Sequence, residues 1–155
     1  MIRKRLAFLL SAGVLVVLGI AASSSRSQAQ DKEESALEKI MEKVNKHNST
    51  ITKGVRNKVN FAKSQQDVAK SAKEFVKLAK EAKQIKDAVN KAKALPNAQM
   101  KWDEYMDDFI KTAEMLATVS AKSSATVEDA KSAFNGVKKA CADCHKDFRV
   151  DEGSF

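Results

Sequence analysis

The segment FNGVKKACADCHKDFR spans residues 134–149 and contains Cys141, Cys144 and His145. Its centre has the pattern C-x-x-C-H, so Cys144 follows Cys141 by three residues and His145 follows Cys141 by four. On a helix this spacing places all three side chains on one side, within about one turn. C-x-x-C-H is the attachment motif of c-type haem, in which the thiols bond to the porphyrin and the histidine ligates the iron. The segment therefore predicts a C-terminal helix built around one covalently attached haem c.

Paired cysteines at this spacing also occur in thioredoxin-like dithiols, in structural disulfides and in half of a zinc site. A redox dithiol belongs in a βαβ context, and a zinc site needs two further ligands at finger-like spacing. The chain has only these two cysteines, and its other histidine, His47, is distant in sequence. A dithiol or disulfide protein would be colourless, whereas a haem protein would be red. The motif favours haem over all three alternatives.

The N-terminus has the features of a secretory signal peptide. Basic residues at positions 3–5 precede an uncharged run over residues 6–22, which is followed by a small-x-small cleavage site ending at Ala29. The sequence therefore predicts a signal peptide over residues 1–29, a mature domain over residues 30–155, and export to the periplasm or otherwise out of the cytoplasm. Because the uncharged run reaches the lower edge of membrane-spanning length, an uncleaved membrane anchor is the alternative.

The charge of the chain bears on its partners. The formal net charge is +8, and loss of residues 1–29 would remove four basic residues and no acidic one, leaving +4. A mild positive charge favours a redox partner protein with an acidic docking face. The lysines are interleaved with Asp and Glu along the sequence, and this scatter argues against a nucleic-acid-binding patch.

The remainder of the chain has a helical composition, rich in Ala, Lys and Glu with a single proline, Pro96. Apolar residues recur with a helical period in four segments. Their predicted starts are the capping boxes Ser35-x-x-Glu38, Ser64-x-x-Asp67 and Thr126-x-x-Asp129 for the first, second and fourth helices, and the cap Asn97 for the third. Residues 55–63 are predicted to be a connection, and the second helix is predicted to run to about Ala94. The pattern predicts an all-α protein, an antiparallel four-helix bundle with the haem among its helices.

With C-x-x-C-H on a fourth, C-terminal helix, the chain resembles the class II c-type cytochromes, which comprise cytochrome c′ and its low-spin, methionine-ligated relatives. The likeness is densest over residues 134–149, where aromatic residues flank the motif. The resemblance implies that Cys141 and Cys144 hold the haem and that His145 is the proximal iron ligand. Bundles of this class often associate as homodimers through their first two helices, which makes a homodimer an expectation here.

Four other residues are candidates for contact with the haem or for core packing. Arg149 either contacts a haem propionate or is a solvated cation near the negative end of the helix dipole. Phe134, Phe148 and Trp102 lie on apolar stripes and are interpreted as core packing beside the haem.

The resemblance makes the first helix the source of the distal side of the haem. Cytochrome c′ leaves this side open behind apolar side chains and binds NO or CO there, whereas its low-spin relatives place a methionine on the iron and carry electrons. Met41 is the only methionine of the first predicted helix and lies on its inward stripe, so it is the predicted distal ligand, with core packing as its alternative. His47, the only other histidine, is the rival distal ligand, but it lies about 80° from the centre of that stripe, which predicts a surface position. Met100, Met106 and Met115 belong to the third helix and would need a different bundle geometry.

The sequence thus predicts an exported mono-haem electron carrier, with a five-coordinate protein that binds NO or CO as the alternative. No further acid–base constellation surrounds the two histidines, so an enzyme is not expected.

Overall fold

The computed structural model describes residues 35–92 and 94–149 of the chain. Five α-helices occur within these residues: α1 covers Ala36–Gly54, α2 Lys58–Lys83, α3 Asp87–Lys91, α4 Ala98–Ala121 and α5 Val127–Phe148. None of the helices described is both long enough and apolar enough to cross a bilayer. The predicted signal peptide and its cleavage site lie outside the described residues.

The four long helices form a bundle, which confirms the predicted fold class. Helix α1 packs along α2, α2 along α4, and α4 along α5. The connections at residues 55–57 and 122–126 are short, and short connections join antiparallel neighbours. Helices α1 and α5 make few close backbone approaches to each other. The bundle is therefore tightly packed on three sides and open on the fourth.

The interior consists of two buried clusters at opposite ends of the bundle. The larger one includes Ile51, Val68, Leu116 and Val127, from the end of α1, the start of α2, the end of α4 and the start of α5. The other one includes Ile40, Leu78, Trp102, Met106 and Cys144. One of the two cysteines is therefore a core residue of the second cluster.

Capping boxes begin both helices that face the open side of the bundle, as predicted. At α1, the Glu38 amide donates to Ser35 Oγ at 3.2 Å, and the Ser35 amide donates to the Glu38 carboxylate. At α5, the Asp129 amide donates to Thr126 Oγ1 and the Thr126 amide donates to Asp129 Oδ2, both at 3.1 Å. Each box satisfies two amide groups that the helix itself leaves without partners.

The predicted start of the second helix is wrong. Helix α2 begins at Lys58, because Asn57 is its cap: Asn57 Oδ1 accepts the Asn60 amide at 2.9 Å. Phe61, which is 4 % exposed, then anchors this first turn in the core. Ser64 is an interior residue of α2, and its hydroxyl donates to the Asn60 carbonyl at 2.7 Å. A serine can bond back to its own helix in this way, so the capping-box pattern alone does not mark a helix start.

The second helix also ends earlier than predicted, at Lys83, and the short α3 follows it. At about 100° per residue, a continuous helix would turn Ile85 roughly 100° away from the buried row of α2. In the structure the chain turns at residues 84–86, and Ile85 packs with Ala88 against the cluster that contains Trp102. Burial of these apolar side chains outweighs the helical preference of the sequence. Asn97 stands before α4 as predicted, but with a φ of 56° and no side-chain capping bond.

Helix α1 lies close to α2 at Gly54, a buried residue at the end of α1. A Cβ atom at this position would lie 2.5 Å from Val68 Cγ2 and 2.9 Å from Ser64 Oγ, both of α2. Any larger residue at this position would force the side chains of Val68 and Ser64, or the helices themselves, to shift. Gly136, in the middle of α5, is different, since a Cβ there would meet Thr112 Cγ2 at an ordinary 3.6 Å.

We expect Gly54→Ala to lower the free energy of unfolding of the haem-loaded protein by about 1–3 kcal/mol, because overpacking displaces α1 from α2. Gly136→Ala is the matched control, and we expect it to be neutral or stabilising by up to about 1 kcal/mol, because alanine favours helix over glycine. Urea unfolding followed by circular dichroism measures both. Equal effects of the two substitutions would contradict the close approach at Gly54.

Candidate haem site

The last three turns of α5 present the C-x-x-C-H motif to the open side of the bundle. Cys144 is 8 % exposed, Cys141 is half-buried and His145 is exposed at the edge of the helix. Both cysteines are free thiols. The capping box at Thr126 and the buried Ala130 and Phe134 fix the rotation of α5, and the helical period carries this orientation to the motif.

A cavity of about 450 Å³ lies between α1 and α5. Cys141, Cys144, His145 and Arg149 line it from α5. The structure thus brings together all four residues that the sequence singled out on the last helix. The cavity lies where α1 and α5 stand apart, so the motif faces the open side of the bundle.

The opposite wall of the cavity is mainly apolar. From α1 it is lined by Met41, Val44, Asn45 and Asn48, and from α2 and α4 by Phe75, Met106 and Phe109. Met41 is half-buried and faces the same space as His145 across the bundle. Met106 also lines the cavity and is only 2 % exposed. Met106 of the third predicted helix thus lies at the cavity together with Met41, whereas Met100 and Met115 are exposed.

His47 is not among the residues that line the cavity. Its Nδ1 lies 3.3 Å from Ser71 Oγ of α2, and its ring meets the edge of Phe75. The predicted surface position is only partly correct, because His47 is half-buried between α1 and α2. Its contacts direct it towards α2 and away from the thiols.

Burial sets the ionisation of the two thiols. It raises the pKa of Cys144 to about 12, with smaller contributions from the neighbouring Cys141 and Asp147, and it also raises the pKa of Cys141. Reactive dithiols have thiol pKa values below the ordinary range, so this pair does not have the electrostatics of a redox-active dithiol. Within residues 35–92 and 94–149, no three or more His, Cys, Asp or Glu side chains gather as metal ligands do.

The surroundings of His145 favour the neutral form of its imidazole. Although part of its surface is accessible, burial lowers its pKa, and the positive charge of Arg149 lowers it further. A neutral imidazole keeps the nitrogen lone pair that a metal ligand needs. Arg149 follows α5, and its backbone amide donates to the His145 carbonyl at 3.2 Å.

A polar contact fastens the end of α5 to α4 beside the motif. The Tyr105 hydroxyl donates to Asp147 Oδ2 at 2.9 Å, and Lys101 Nζ lies 3.2 Å from the same oxygen. The bond from Tyr105 and the charge of Lys101 hold the pKa of Asp147 below its usual value. Sequence reasoning missed this contact, although Lys101 and Tyr105 share one face of α4 through their i, i+4 spacing.

Aromatic packing reinforces the same junction. The ring of Phe148 meets the edges of Trp102 and Tyr105, at centroid distances of 5.1 and 6.1 Å. This confirms the prediction that Trp102 and Phe148 are packing residues. The indole Nε1 of Trp102 is buried and has no hydrogen-bond partner among the described residues. The end of α5 is thus anchored to α4 while its other face remains free towards α1.

These residues fit a covalently bound haem. Two free thiols one turn apart, a neutral imidazole next to one of them and an apolar wall opposite are the donor set and enclosure that haem c requires. The arrangement defines a c-type haem protein of the helical-bundle class.

Comparison with protein families agrees with this assignment. The family model described as Cytochrome C' matches residues 28–149, most of the chain. The chain therefore belongs to the cytochrome c′ family and binds haem c covalently. Neither the curated proteins nor the solved structures include a significant match to it.

The contact between Tyr105 and Asp147 can be measured by a double-mutant cycle. We expect Tyr105→Phe to cost about 0.5–1.5 kcal/mol of unfolding free energy, because a half-buried hydrogen bond is lost. Asp147→Asn and the double variant complete the cycle in urea unfolding of the haem-loaded protein. A coupling energy below about 0.3 kcal/mol, the usual error of additivity, would show that the contact does not stabilise the end of α5.

Proposed function

We propose that the protein is an exported electron carrier in which Cys141 and Cys144 hold the haem and His145 and Met41 ligate its iron. The observation that supports this most directly is that Met41 of α1 and His145 of α5 line one cavity from opposite helices. Bound haem supplies a one-electron couple at its iron. The task of the chain is to hold two ligands in place while the charge on the metal changes.

Each ligand sits on a separately stabilised helix. The capping box at Ser35 and the buried Ile40 fix the first turns of α1 beside Met41. The contacts of Tyr105 and Phe148 fix the end of α5 beside His145. Ligands on rigid helices need little rearrangement when the iron changes oxidation state. A thioether opposite an imidazole also favours the reduced iron and raises the reduction potential.

Two basic side chains that line the cavity could bind the propionate carboxylates of the haem. Arg149 and Lys138 both line the cavity, and Lys138 Nζ lies 5.3 Å from the centroid of the Phe134 ring. We propose Arg149 as a propionate contact, because its guanidinium can bind a carboxylate with two hydrogen bonds.

The same wall supports a second candidate function, a five-coordinate protein that binds NO or CO. Val44, Phe75 and Phe109 surround the distal space with apolar side chains. If Met41 packs in this wall instead of reaching the iron, a small gas molecule can enter there. The electron-carrier proposal includes export and exchange of electrons with an acidic partner protein. Two iron ligands that stay bound suit electron transfer, because no bond to the iron has to break.

The covalent attachment can be tested by extraction of haem with acidified acetone. We expect the natural protein to retain all of its haem and a Cys141→Ala/Cys144→Ala variant to release all that it binds, because no thioether can form. Each single variant should retain haem through its remaining bond. Full retention by the double variant would contradict the assignment of these cysteines, and a colourless natural protein from a host that attaches c-type haem would favour the dithiol alternative.

The axial ligand can be tested by absorption spectroscopy in both oxidation states. We expect a low-spin spectrum and a weak near-infrared methionine-to-ferric band for the natural protein, and complete loss of that band in Met41→Leu. Met106→Leu, which removes the other thioether of the cavity, is the matched control and should keep the band. If only Met106→Leu abolishes the band, α4 supplies the ligand. A high-spin natural protein that binds CO would establish the second candidate function.

A further inference from the structure

The outer face of α2 carries a row of lysines. Its members are Lys63, Lys70, Lys73, Lys77 and Lys80, all of them exposed. At about 100° per residue they fall within an arc of roughly 100°, centred opposite the buried row of the same helix. With a rise of 1.5 Å per residue, the row extends for about 25 Å along the bundle. The lysines of α2 are interleaved with acidic residues along the sequence, but the helix collects these five on one face.

Most of this charge is uncompensated within the row itself. Among the described residues, Lys77 is the only one of the five in an ion pair, with Glu74 Oε1 at 2.6 Å. The acidic residues Asp67, Glu74 and Glu81 recur every seven positions, and at about 100° per residue they lie along one edge of the lysine row, Glu81 at the same angle as Lys63. Helix α2 as a whole has seven lysines against these three carboxylates. Its outward face is therefore strongly positive.

The row points away from the haem site. Phe75 is the residue of α2 that lines the cavity, and it is 1 % exposed on the inward face. Lys73 and Lys77 lie two positions from it in sequence, on the opposite side of the helix. A partner bound along the row would thus lie on the far side of α2 from the cavity between α1 and α5.

We propose that the lysine row of α2 binds an anionic lipid surface. A bilayer matches its shape and chemistry, because each lysine near a surface of anionic headgroups contributes independently and without a defined partner geometry. A specific protein interface would instead need a buried apolar or aromatic centre, and such centres are poor in lysine. The row has no aromatic residue, and Val59, 62 % exposed and one turn before Lys63, is the large apolar side chain in line with it.

This binding would hold the protein at a membrane surface with the cavity side free. The inference is independent of the identity of the distal iron ligand, because none of the five lysines lines the cavity. An electron carrier and a gas-binding protein could both be concentrated at a membrane in this way.

The test is sedimentation with vesicles, with the haem absorbance of the pellet as the measurement. The water-soluble, haem-loaded protein exported by the expression host is mixed with vesicles of equal parts phosphatidylglycerol and phosphatidylcholine, or of phosphatidylcholine alone. We expect binding to the anionic vesicles only. Binding should weaken as ionic strength rises from about 0.01 to 0.15 M, which shortens the screening length from about 30 to 8 Å. Equal binding to both vesicle types, or binding to neither, would overturn the proposal.

A pair of triple variants separates the row from net charge. Lys70→Gln/Lys73→Gln/Lys80→Gln removes three lysines of the row that have no ion pair in the described structure. We expect it to weaken binding about 100-fold, roughly fivefold for each lysine. The matched control, Lys39→Gln/Lys43→Gln/Lys46→Gln, removes the same charge from exposed positions of α1 and should retain most of the binding.

Two results would count against a lipid site on α2. Equal weakening by the two triple variants would show that net charge alone is responsible. Preferential binding to an acidic protein or to nucleic acid at the same ionic strength, if the α2 triple variant loses it and the α1 control keeps it, would assign the row to a different partner. All variants should keep the natural haem spectrum and unfolding midpoint, since every substituted side chain is exposed.

Discussion

The separation of α1 from α5 is the constraint on which the rest of the structure depends. A four-helix bundle normally closes by packing its first and last helices together. Here the cavity of about 450 Å³ occupies that position. The close backbone packing of α1 on α2, of α2 on α4 and of α4 on α5 therefore positions α1, whose side chains also join the two buried clusters. Gly54 makes this possible by allowing α1 to approach α2 very closely.

The same arrangement explains why α5 can carry the functional motif. A helix with two thiols and an imidazole on its inner side has lost several positions that would otherwise bury apolar surface. The contacts of Tyr105 and Phe148 with the end of α5 compensate on the side of α4. Cys144 belongs to the core in its own right, at 8 % exposure. The helix is thus fixed through one face, and the other remains available to a cofactor.

The sequence predicted the bundle and the residues of the motif, because both depend on local spacing. Cys141, Cys144 and His145 are within one turn of each other, so any helix there brings them together. The errors concern features set by tertiary contacts. Ser64 imitates a helix start, but the burial of Phe61 extends α2 in front of it. The position of Met106 at the cavity depends on how α4 is rotated against α1 and α5, which no local pattern records.

The half of the bundle far from the motif is fastened by its own contacts. Gln65 Nε2 of α2 donates to the carbonyls of Ser120 and Lys122 at 3.0 and 2.6 Å, so that a side chain of one helix closes the end of another. Neither this clasp, nor the meeting of Gly54 with Val68, nor the capping box at Thr126 involves a residue that lines the cavity. That half of the bundle is therefore stabilised independently of the residues that line the cavity. Because none of these contacts uses a cavity residue, that end keeps the four long helices in register while side chains at the other end are given over to the haem site.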